Sequence, residues 1–246
     1  MNLRILGYAG GYPGAGIPTS GYLLSFSGKN ILIDCGSGVL AEIQRYIPIE
    51  CIDMIILTHL HSDHVSDMQV LRYALDMNAK HGRNIRPIPV YSPQTPRSAF
   101  DILPKEAYLP LTVIDNSMTL RFADTVISFH PTAHSAECYG IRVENNGAIF
   151  SYSSDSVYNE SLFDFMKYAD LAVLDCGGLL KDGDNEKKHM NPADCFELYK
   201  KFGVKRVVLS HLIPYHSVSD TMSEASAMGP WTWELAETDR IYIIES

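Results

Sequence analysis

The segment Thr58–His64 constrains the fold more than any other part of this chain. It reads THLHSDH, follows the apolar run MIIL, and contains imidazole and carboxylate groups of the kinds that bind zinc, manganese or iron. His59 and His61 are two positions apart, so both point to one side of an extended segment. Asp63 and His64 follow where the chain turns into a helix, which aims them at a different point. The spacing therefore favours two metal positions over one.

Short β-rich runs recur from one end of the chain to the other, with helix-like stretches between some of them. Gly-rich turns near the N-terminus predict hairpins, and Asn191 before Pro192 predicts a capped helix start. Strands mixed with helices predict a single α/β domain, residues 1–246, in which helices cover the outer faces of sheets. The clearest helices are predicted at Val39–Tyr46, His64–Lys80, Ser161–Tyr168 and Pro192–Phe202.

Several of the predicted strands run directly into a potential metal ligand. MIILT is followed by His59 and AIFSYSS by Asp155, while LAVL leads into Asp175 and VVLS into His211. In α/β architectures, polar groups gathered at one set of strand ends mark the edge of a site. Four such strands together predict one site built from distant parts of the chain.

Charge and cysteine content limit the function classes. Lys and Arg total 20 against 29 for Asp and Glu, and the net charge of −9 argues against a nucleic-acid polymer as partner. A small anionic substrate remains compatible, because a bound metal reverses the local field. Five widely spaced cysteines without a C-x-x-C pair predict a reducing compartment. Without a signal peptide or an apolar stretch of membrane-spanning length, we expect a cytoplasmic protein with no membrane partner.

The THLHSDH motif resembles the signature of the metallo-β-lactamase superfamily, and the resemblance covers essentially the whole chain. It implies a four-layer αβ/βα sandwich with two divalent metal ions in the cleft between the sheets, Zn²⁺ or alternatively Mn²⁺ or Fe²⁺. Further ligands are implied by the segments FHPTAHSAECYG, FSYSSDS and VVLSHLIP. The implied set is His59, His61 and His134 for the first ion, Asp63, His64 and His211 for the second, and Asp155 as the bridge.

The stretch from Lys187 to Pro214 resembles the ribonuclease Z-like branch of that superfamily. In that branch a histidine at the position of His189 faces the scissile phosphate, which implies a catalytic group that stabilises the phosphorane or protonates the leaving oxygen. Asp63 is the second predicted catalytic residue, since it would hold the second ion and orient a metal-bridging hydroxide as nucleophile. Tyr215 stands where the branch often carries an aromatic residue, and we predict that it binds substrate together with His189.

The spacing of the motifs separates sub-branches. Ribonuclease Z enzymes carry a tRNA-gripping arm between the third-histidine motif and the bridging aspartate. Here the 21 positions from His134 to Asp155 are filled by two strands and the turn Asn145-Asn146-Gly147. The opening GYAGGYPGAGIPTSGYLLSF and the late GPWTWELAETDRIYIIE resemble a group that includes atypical bacterial cyclic-nucleotide phosphodiesterases. The predicted function is therefore a dinuclear phosphodiesterase acting on a small phosphodiester, a cyclic nucleotide first.

Other functions stay open as alternatives. A tRNA 3′-processing endonuclease is the second choice, and a thioesterase shares the double metal site although its C-terminal helices have no match here. His64 speaks against a β-lactamase, and the complete ligand set speaks against a non-enzymatic metal-binding protein. The branch also suggests a homodimer.

Two segments have two interpretations each. The loop Gly10–Gly16 is a hairpin turn or brings backbone N–H groups near a phosphate or base. The Pro-rich stretch Asn78–Pro110 forms a wall of the cleft or part of a dimer contact. Within that stretch, Arg83 and Arg86 contact a phosphate or, as we expect, belong to a solvated loop.

Overall fold

Two mixed β-sheets packed face to face form the centre of the molecule. The computed structural model describes residues 1–105, 107–183 and 188–246, and within them fourteen strands build two sheets of seven. The strands are β1 (Asn2–Gly7), β2 (Gly21–Phe26), β3 (Lys29–Ile33), β4 (Met54–Ile56), β5 (Val90–Ser92), β6 (Leu111–Val113), β7 (Thr119–Phe122), β8 (Thr125–Pro131), β9 (Tyr139–Asn145), β10 (Ala148–Tyr152), β11 (Leu171–Asp175), β12 (Val207–Ser210), β13 (Trp233–Leu235) and β14 (Ile241–Ile243).

The two sheets have the same internal plan. The first has the strand order β14-β1-β2-β3-β4-β5-β6 and the second β13-β12-β11-β10-β9-β8-β7. Along the chain each begins with antiparallel strands, β1 to β3 and β7 to β10, and continues with parallel ones, β3 to β6 and β10 to β13. Strand β14 returns to pair antiparallel with β1. The carboxyl ends of the parallel strands gather at one edge, where ligand sites form in such sheets.

Helices cover the outer face of each sheet. Alternate side chains of a strand point to opposite faces, so Ile31 and Ile33 enter the core between the sheets while Leu32 packs toward the helices. A third core lies between the second sheet and its helices. Three cores separate four layers, and the predicted αβ/βα sandwich is confirmed. The helices are α1 (Val39–Ile43), α2 (Ser62–Val65), α3 (Met68–Lys80), α4 (Arg97–Ile102), α5 (Glu160–Phe165), α6 (Pro192–Phe202) and α7 (Val218–Ala227).

One helix prediction matches the structure at both ends. Helix α6 has the predicted bounds, and the Asn191 side chain accepts hydrogen bonds from the N–H groups of Ala193 and Asp194. The predicted helix from His64 to Lys80 is instead divided into α2 and α3. It divides at Asp67, whose N–H donates to the carbonyl oxygen of Cys35 and whose carboxylate accepts from the N–H of Leu40.

Two other predicted helices, over 39–46 and 161–168, are shorter in the structure. The second of them ends at Phe165, and Tyr168 beyond it has a left-handed backbone conformation that a helix does not continue through. Among the residues that the structure describes, no helix has the length and apolar character needed to cross a membrane. The compartment and the homodimer stay predictions.

Candidate metal centre

Three histidine rings converge where β4 and β8 end. The Nε2 atom of His59 and the Nε2 atom of His134 each lie 3.1 Å from Nδ1 of His61. Asp155 Oδ2 lies 3.7 Å from His59 Nε2 and 3.9 Å from His134 Nε2. Two nitrogens bound to one tetrahedral zinc, each at about 2.0–2.1 Å, are about 3.3 Å apart. The four side chains are therefore spaced to hold a common ion.

A second cluster lies next to the first and shares Asp155 with it. His211 Nε2 is 3.1 Å and His64 Nε2 is 3.6 Å from Asp63 Oδ2. On the side facing the first cluster, Asp155 places Oδ1 3.3 Å from His64 Nε2 and Oδ2 3.3 Å from His211 Nε2. The structure thus brings together all seven residues predicted to bind metal, with Asp155 between the two groups.

Unpaired buried atoms show that the clusters fit cations. His64 Nε2 and Asp155 Oδ1 are buried without a hydrogen-bond partner among the described residues. Leaving such atoms unsatisfied costs about 1–3 kcal/mol each, and native proteins rarely do so without a bound ion or water. Burial alone would raise the pKa of Asp155, but His211 and His64 hold it well below its usual value, so the carboxylate is charged. The donor set suits divalent ions, whose number and identity stay predictions.

Asp34 orients one histidine of the second cluster from behind. It follows β3, is fully buried, and lies with Oδ2 2.8 Å from Nδ1 of His64. Its Oδ1 accepts the N–H of Thr58 at 2.8 Å, so the carboxylate also fixes the start of the THLHSDH segment. A carboxylate bonded to one ring nitrogen turns the other nitrogen toward the metal and increases its basicity.

Asp175, at the end of β11, orients His189 in the same way as Asp34 orients His64. Its Oδ2 lies 2.9 Å from Nδ1 of His189, and its Oδ1 lies 3.5 Å from Nδ1 of His211. Backbone N–H groups of Ser156 and Gly177 hold the carboxylate in place, each at 3.0 Å. Burial alone would lower the pKa of His189, but the charge of Asp175 raises it above its usual value.

His189 faces both clusters from the open side of the site. Its ring centroid is 4.8 Å from that of His211 and 6.0 Å from that of His134. Asp155, His189 and His211 each offer an atom within 4.8 Å of the others, so His189 is near enough to act on anything bound there. Its side chain is 17% exposed. The residue therefore lies beside both clusters and reaches solvent, and its catalytic role stays a prediction.

Left-handed backbone conformations and glycines at close contacts allow the surrounding loops to pack against the site. Asp34 and His211 have left-handed conformations with φ of 57° and 55°, which non-glycine residues adopt at a cost of about 1–3 kcal/mol. A Cβ atom on Gly10 would lie 2.7 Å from His211 Nδ1, and one on Gly36 would lie 2.0 Å from the carbonyl oxygen of Asp63. Only glycine allows both loops to approach so closely.

A polar cavity of about 390 Å³ opens beside His189. Asp182, Lys188 and Asn191 contribute to its wall, and Tyr215 lies at its rim with its side chain 69% exposed. The structure therefore places the two predicted substrate-binding residues, His189 and Tyr215, on one cavity.

The loop Gly10–Gly16 forms a turn, as the hairpin interpretation predicted, and it contacts the candidate metal centre, while contact with a phosphate or base stays a prediction. It contains a tight turn, in which the N–H of Ile17 donates to the carbonyl oxygen of Gly14 at 3.1 Å. It also reaches the site, because the N–H of Gly11 donates to Asp63 Oδ2 at 2.7 Å.

Arg83 and Arg86 lie away from the metal centre. Arg83 pairs with Glu50, and Arg86 lies 3.6 Å from Asp53, which precedes β4 at the end opposite to His59. Both arginine side chains are more than half exposed, which agrees with the solvated-loop interpretation, and neither lies at the metal centre. The later part of the same stretch does approach the site, since Glu137, near His134, accepts hydrogen bonds from the N–H and hydroxyl groups of Thr95.

Sequence reasoning missed the roles of Asp34 and Asp175. The strand pattern predicts Asp175 as a potential metal ligand, whereas the structure places it behind His189 and His211, and the pattern does not single out Asp34. Both follow an apolar run of a parallel strand, ILI and LAVL, and that shared position was the available signal. His216, which borders the polar cavity beside Tyr215, carried no pattern of its own.

Fold and site together define a metal-dependent hydrolase of the two-sheet sandwich type. A family model described as "Beta-lactamase superfamily domain" matches residues 29–212, and the chain belongs to this superfamily. The chain is similar to the probable metallo-hydrolase YhfI of Bacillus subtilis, with 29% identity over 222 residues that cover 90% of this chain and 91% of the relative.

Solved structures agree with this assignment. The crystal structure of Bacillus subtilis YhfI has a TM-score of 0.91 and 27% identity, with 98% of each chain covered. The short form of human tRNase Z has a TM-score of 0.77 and 20% identity over the full length of both chains. A diphosphatase of the PhnP family has a TM-score of 0.74 and 17% identity, covering 99% of this chain and 98% of its own. The last two show the shared fold alone.

Proposed function

We propose that this chain hydrolyses a small phosphodiester, with a cyclic nucleotide as the first candidate. The observation that carries the proposal is the position of His189, held by Asp175 at 2.9 Å and facing both metal-binding clusters. The names of two structural relatives, a tRNase Z and a diphosphatase, are consistent with phosphoryl chemistry on this fold. Two divalent ions bound by the seven clustered residues would polarise the phosphoryl oxygens and lower the pKa of a water.

His189 and Asp63 have separate tasks in this proposal. With Nδ1 of His189 bonded to Asp175, Nε2 is the nitrogen left to donate a proton to the leaving oxygen. Asp63 Oδ2 is fixed by the N–H of Gly11 and lies 3.1 Å from His211 Nε2, which suits a carboxylate that orients the attacking water. Tyr215 offers an aromatic surface at the cavity rim for the organic part of the substrate.

A small substrate is favoured by the surroundings of the site. Strands β9 and β10 occupy the chain between His134 and Asp155, which leaves no insertion there to grip a large nucleic acid. The net charge of −9 also opposes binding of a polyanion outside the metal centre. The polar cavity of about 390 Å³ is within the range of small-molecule sites, which is about 300–1,000 Å³.

The test is turnover of 3′,5′-cyclic AMP by protein loaded with Zn²⁺ or Mn²⁺, with a chelator-treated sample as control. Hydrolysis that disappears with the chelator and returns with added metal is the expected result. Absence of turnover by protein with two bound ions per chain would contradict the cyclic-nucleotide proposal. Parallel assays with 2′,3′-cyclic phosphates, precursor tRNA and a thioester then decide among the remaining functions.

A further inference from the structure

An apolar cavity of about 280 Å³ adjoins the polar cavity and shares Gly177, Ile213 and His216 with it. Two loops enclose it. Tyr8, Ala15 and Ile17 come from the β1–β2 loop, and the segment after His211 supplies Leu212 and Pro214. The metal-binding clusters, His189 and Tyr215 are not among its lining residues. The cavity is therefore a separate compartment next to the site.

The walls of this cavity are built from the same loops that touch the metal centre. The β1–β2 loop donates the N–H of Gly11 to Asp63 at 2.7 Å and the N–H of Gly10 to the carbonyl oxygen of Leu212 at 3.0 Å. Leu212 directly follows His211 in the chain. A group that occupies the cavity thus lies next to the loops that carry or contact Asp63 and His211, two of the predicted metal ligands.

The size and lining of the cavity select its occupant. An apolar cavity of about 150 Å³ is large enough to bind benzene, so a cavity of about 280 Å³ accommodates one ring system. The lining is mostly aliphatic with one tyrosine, and His216 and Thr221 add polar groups. Such a lining suits the flat faces of a heteroaromatic ring, because aromatic surfaces bury large apolar areas and stack. The neighbouring polar cavity, with Asp182, Lys188 and Asn191, suits a hydroxylated sugar.

We propose that the apolar cavity binds the nucleobase of the substrate, so that the β1–β2 loop determines substrate specificity. This inference rests on the proposed function, because it assigns the base of a cyclic nucleotide to a defined place. Ala15 is the residue to change, since it is exposed at the rim and lines the cavity. A Trp at this position adds a large side chain where the cavity opens, and Ala15 is not one of the predicted metal ligands.

The experiment compares two substrates with the same scissile group. One is 3′,5′-cyclic AMP, and the other is methyl riboside 3,5-cyclic phosphate, in which a methoxy group replaces adenine. With metal-loaded wild-type protein we expect kcat/KM at least tenfold higher for cyclic AMP, which is about 1.4 kcal/mol. In Ala15→Trp this preference should fall to near unity, through loss of activity on cyclic AMP alone. Tyr12→Trp is the matched control, because Tyr12 is half exposed in the same loop and does not line the cavity.

The outcomes separate the inference from the proposed function. If neither ester is hydrolysed by protein with two bound ions, the proposed function fails and the inference fails with it. If both are hydrolysed at equal rates by the wild type, or if Ala15→Trp keeps the full preference for cyclic AMP, the phosphodiesterase stands and the base site is wrong. An equal loss for both esters in Ala15→Trp, with two ions still bound per chain, also overturns the inference, because the preference for cyclic AMP is then kept although the cavity carries a larger side chain.

Discussion

The two halves of the molecule fold alike but contribute to the metal centre differently. Strands β1–β6 and β7–β13 each run antiparallel first and parallel afterwards. Each half also has a buried aspartate at the end of a parallel strand, Asp34 or Asp175, that orients a histidine. However, the first half presents all its predicted ligands on the single segment Thr58–His64. The second half supplies its residues from four separate loops between positions 134 and 211.

This difference has physical consequences. In the first half, the spacing of the ligands is fixed by one turn between β4 and α3, so the local backbone sets their geometry. In the second half, the positions depend on how β8 to β12 pack together. We therefore expect substitutions in the THLHSDH segment to remove metal outright. Substitutions in the second half should be able to separate metal binding from turnover.

His61→Ala tests the first half and should have the largest effect. His61 Nδ1 is the atom that both His59 and His134 approach at 3.1 Å, so its removal takes a ligand from the centre of the cluster. We expect loss of bound metal and a fall in turnover beyond the 10–100-fold typical of outer-partner substitutions. Metal analysis after dialysis and steady-state kinetics measure both.

The control for this substitution is His81→Ala. His81 is an exposed histidine after α3 whose Nδ1 lies 2.7 Å from the carbonyl oxygen of Met77. Metal content and turnover should be unchanged in this variant. Full activity in His61→Ala would contradict the entire assignment of the site.

His189→Ala tests whether a substitution in the second half can lower kcat while the protein keeps its bound metal. We expect metal content to be retained while kcat falls by about 10²-fold or more, as is usual when a general acid is removed. His130→Ala is the matched control, because His130 is also in the second half but contacts the Ser161 hydroxyl at 3.1 Å. Loss of metal in His189→Ala would make His189 a ligand, and its proposed role in proton donation would be wrong.

Asp34→Asn and Asp175→Asn compare the equivalent aspartates of the two halves. Both substitutions should lower metal affinity or activity by about 10–100-fold. The reason is that a neutral amide lacks the negative charge with which the aspartate orients the histidine ring. Asp34 supports His64, a predicted ligand, so its loss should appear mainly as weaker metal binding. Asp175 supports His189 as well as approaching His211, so its loss should also lower kcat at saturating metal. Measuring turnover as a function of metal concentration distinguishes the two variants. If both variants show the same metal affinity and the same kcat at saturating metal, the proposed difference between the two halves is wrong.

The same difference explains what the sequence could predict. The Thr58–His64 ligands are recognisable by themselves, because four polar side chains follow one apolar strand. Asp155 and His211 are marked locally only as potential ligands that follow a strand, and nothing local marks His134, so the ligand roles of all three could be assigned only through resemblance to a family. The layered fold followed from the strand pattern. The sequence pattern did not predict which charged residues lie at which end of the sheets. The pattern around Arg83 and Arg86 is the same whether the two side chains face a phosphate or face Glu50 and Asp53.

The last prediction concerns this opposite end and should give the smallest effect. In the double variant Arg83→Ala/Arg86→Ala, both side chains lost are more than half exposed, and their ion pairs are at the surface. Such pairs contribute about 0–1 kcal/mol to the free energy of unfolding, so the thermal unfolding temperature should change little. Turnover and metal content should match the wild type, because Asp53 precedes β4 while His59 follows it. A large rise in KM would mean that substrate reaches this end of the sheets. The first half would then contribute to substrate binding through a second loop, in addition to the segment Thr58–His64.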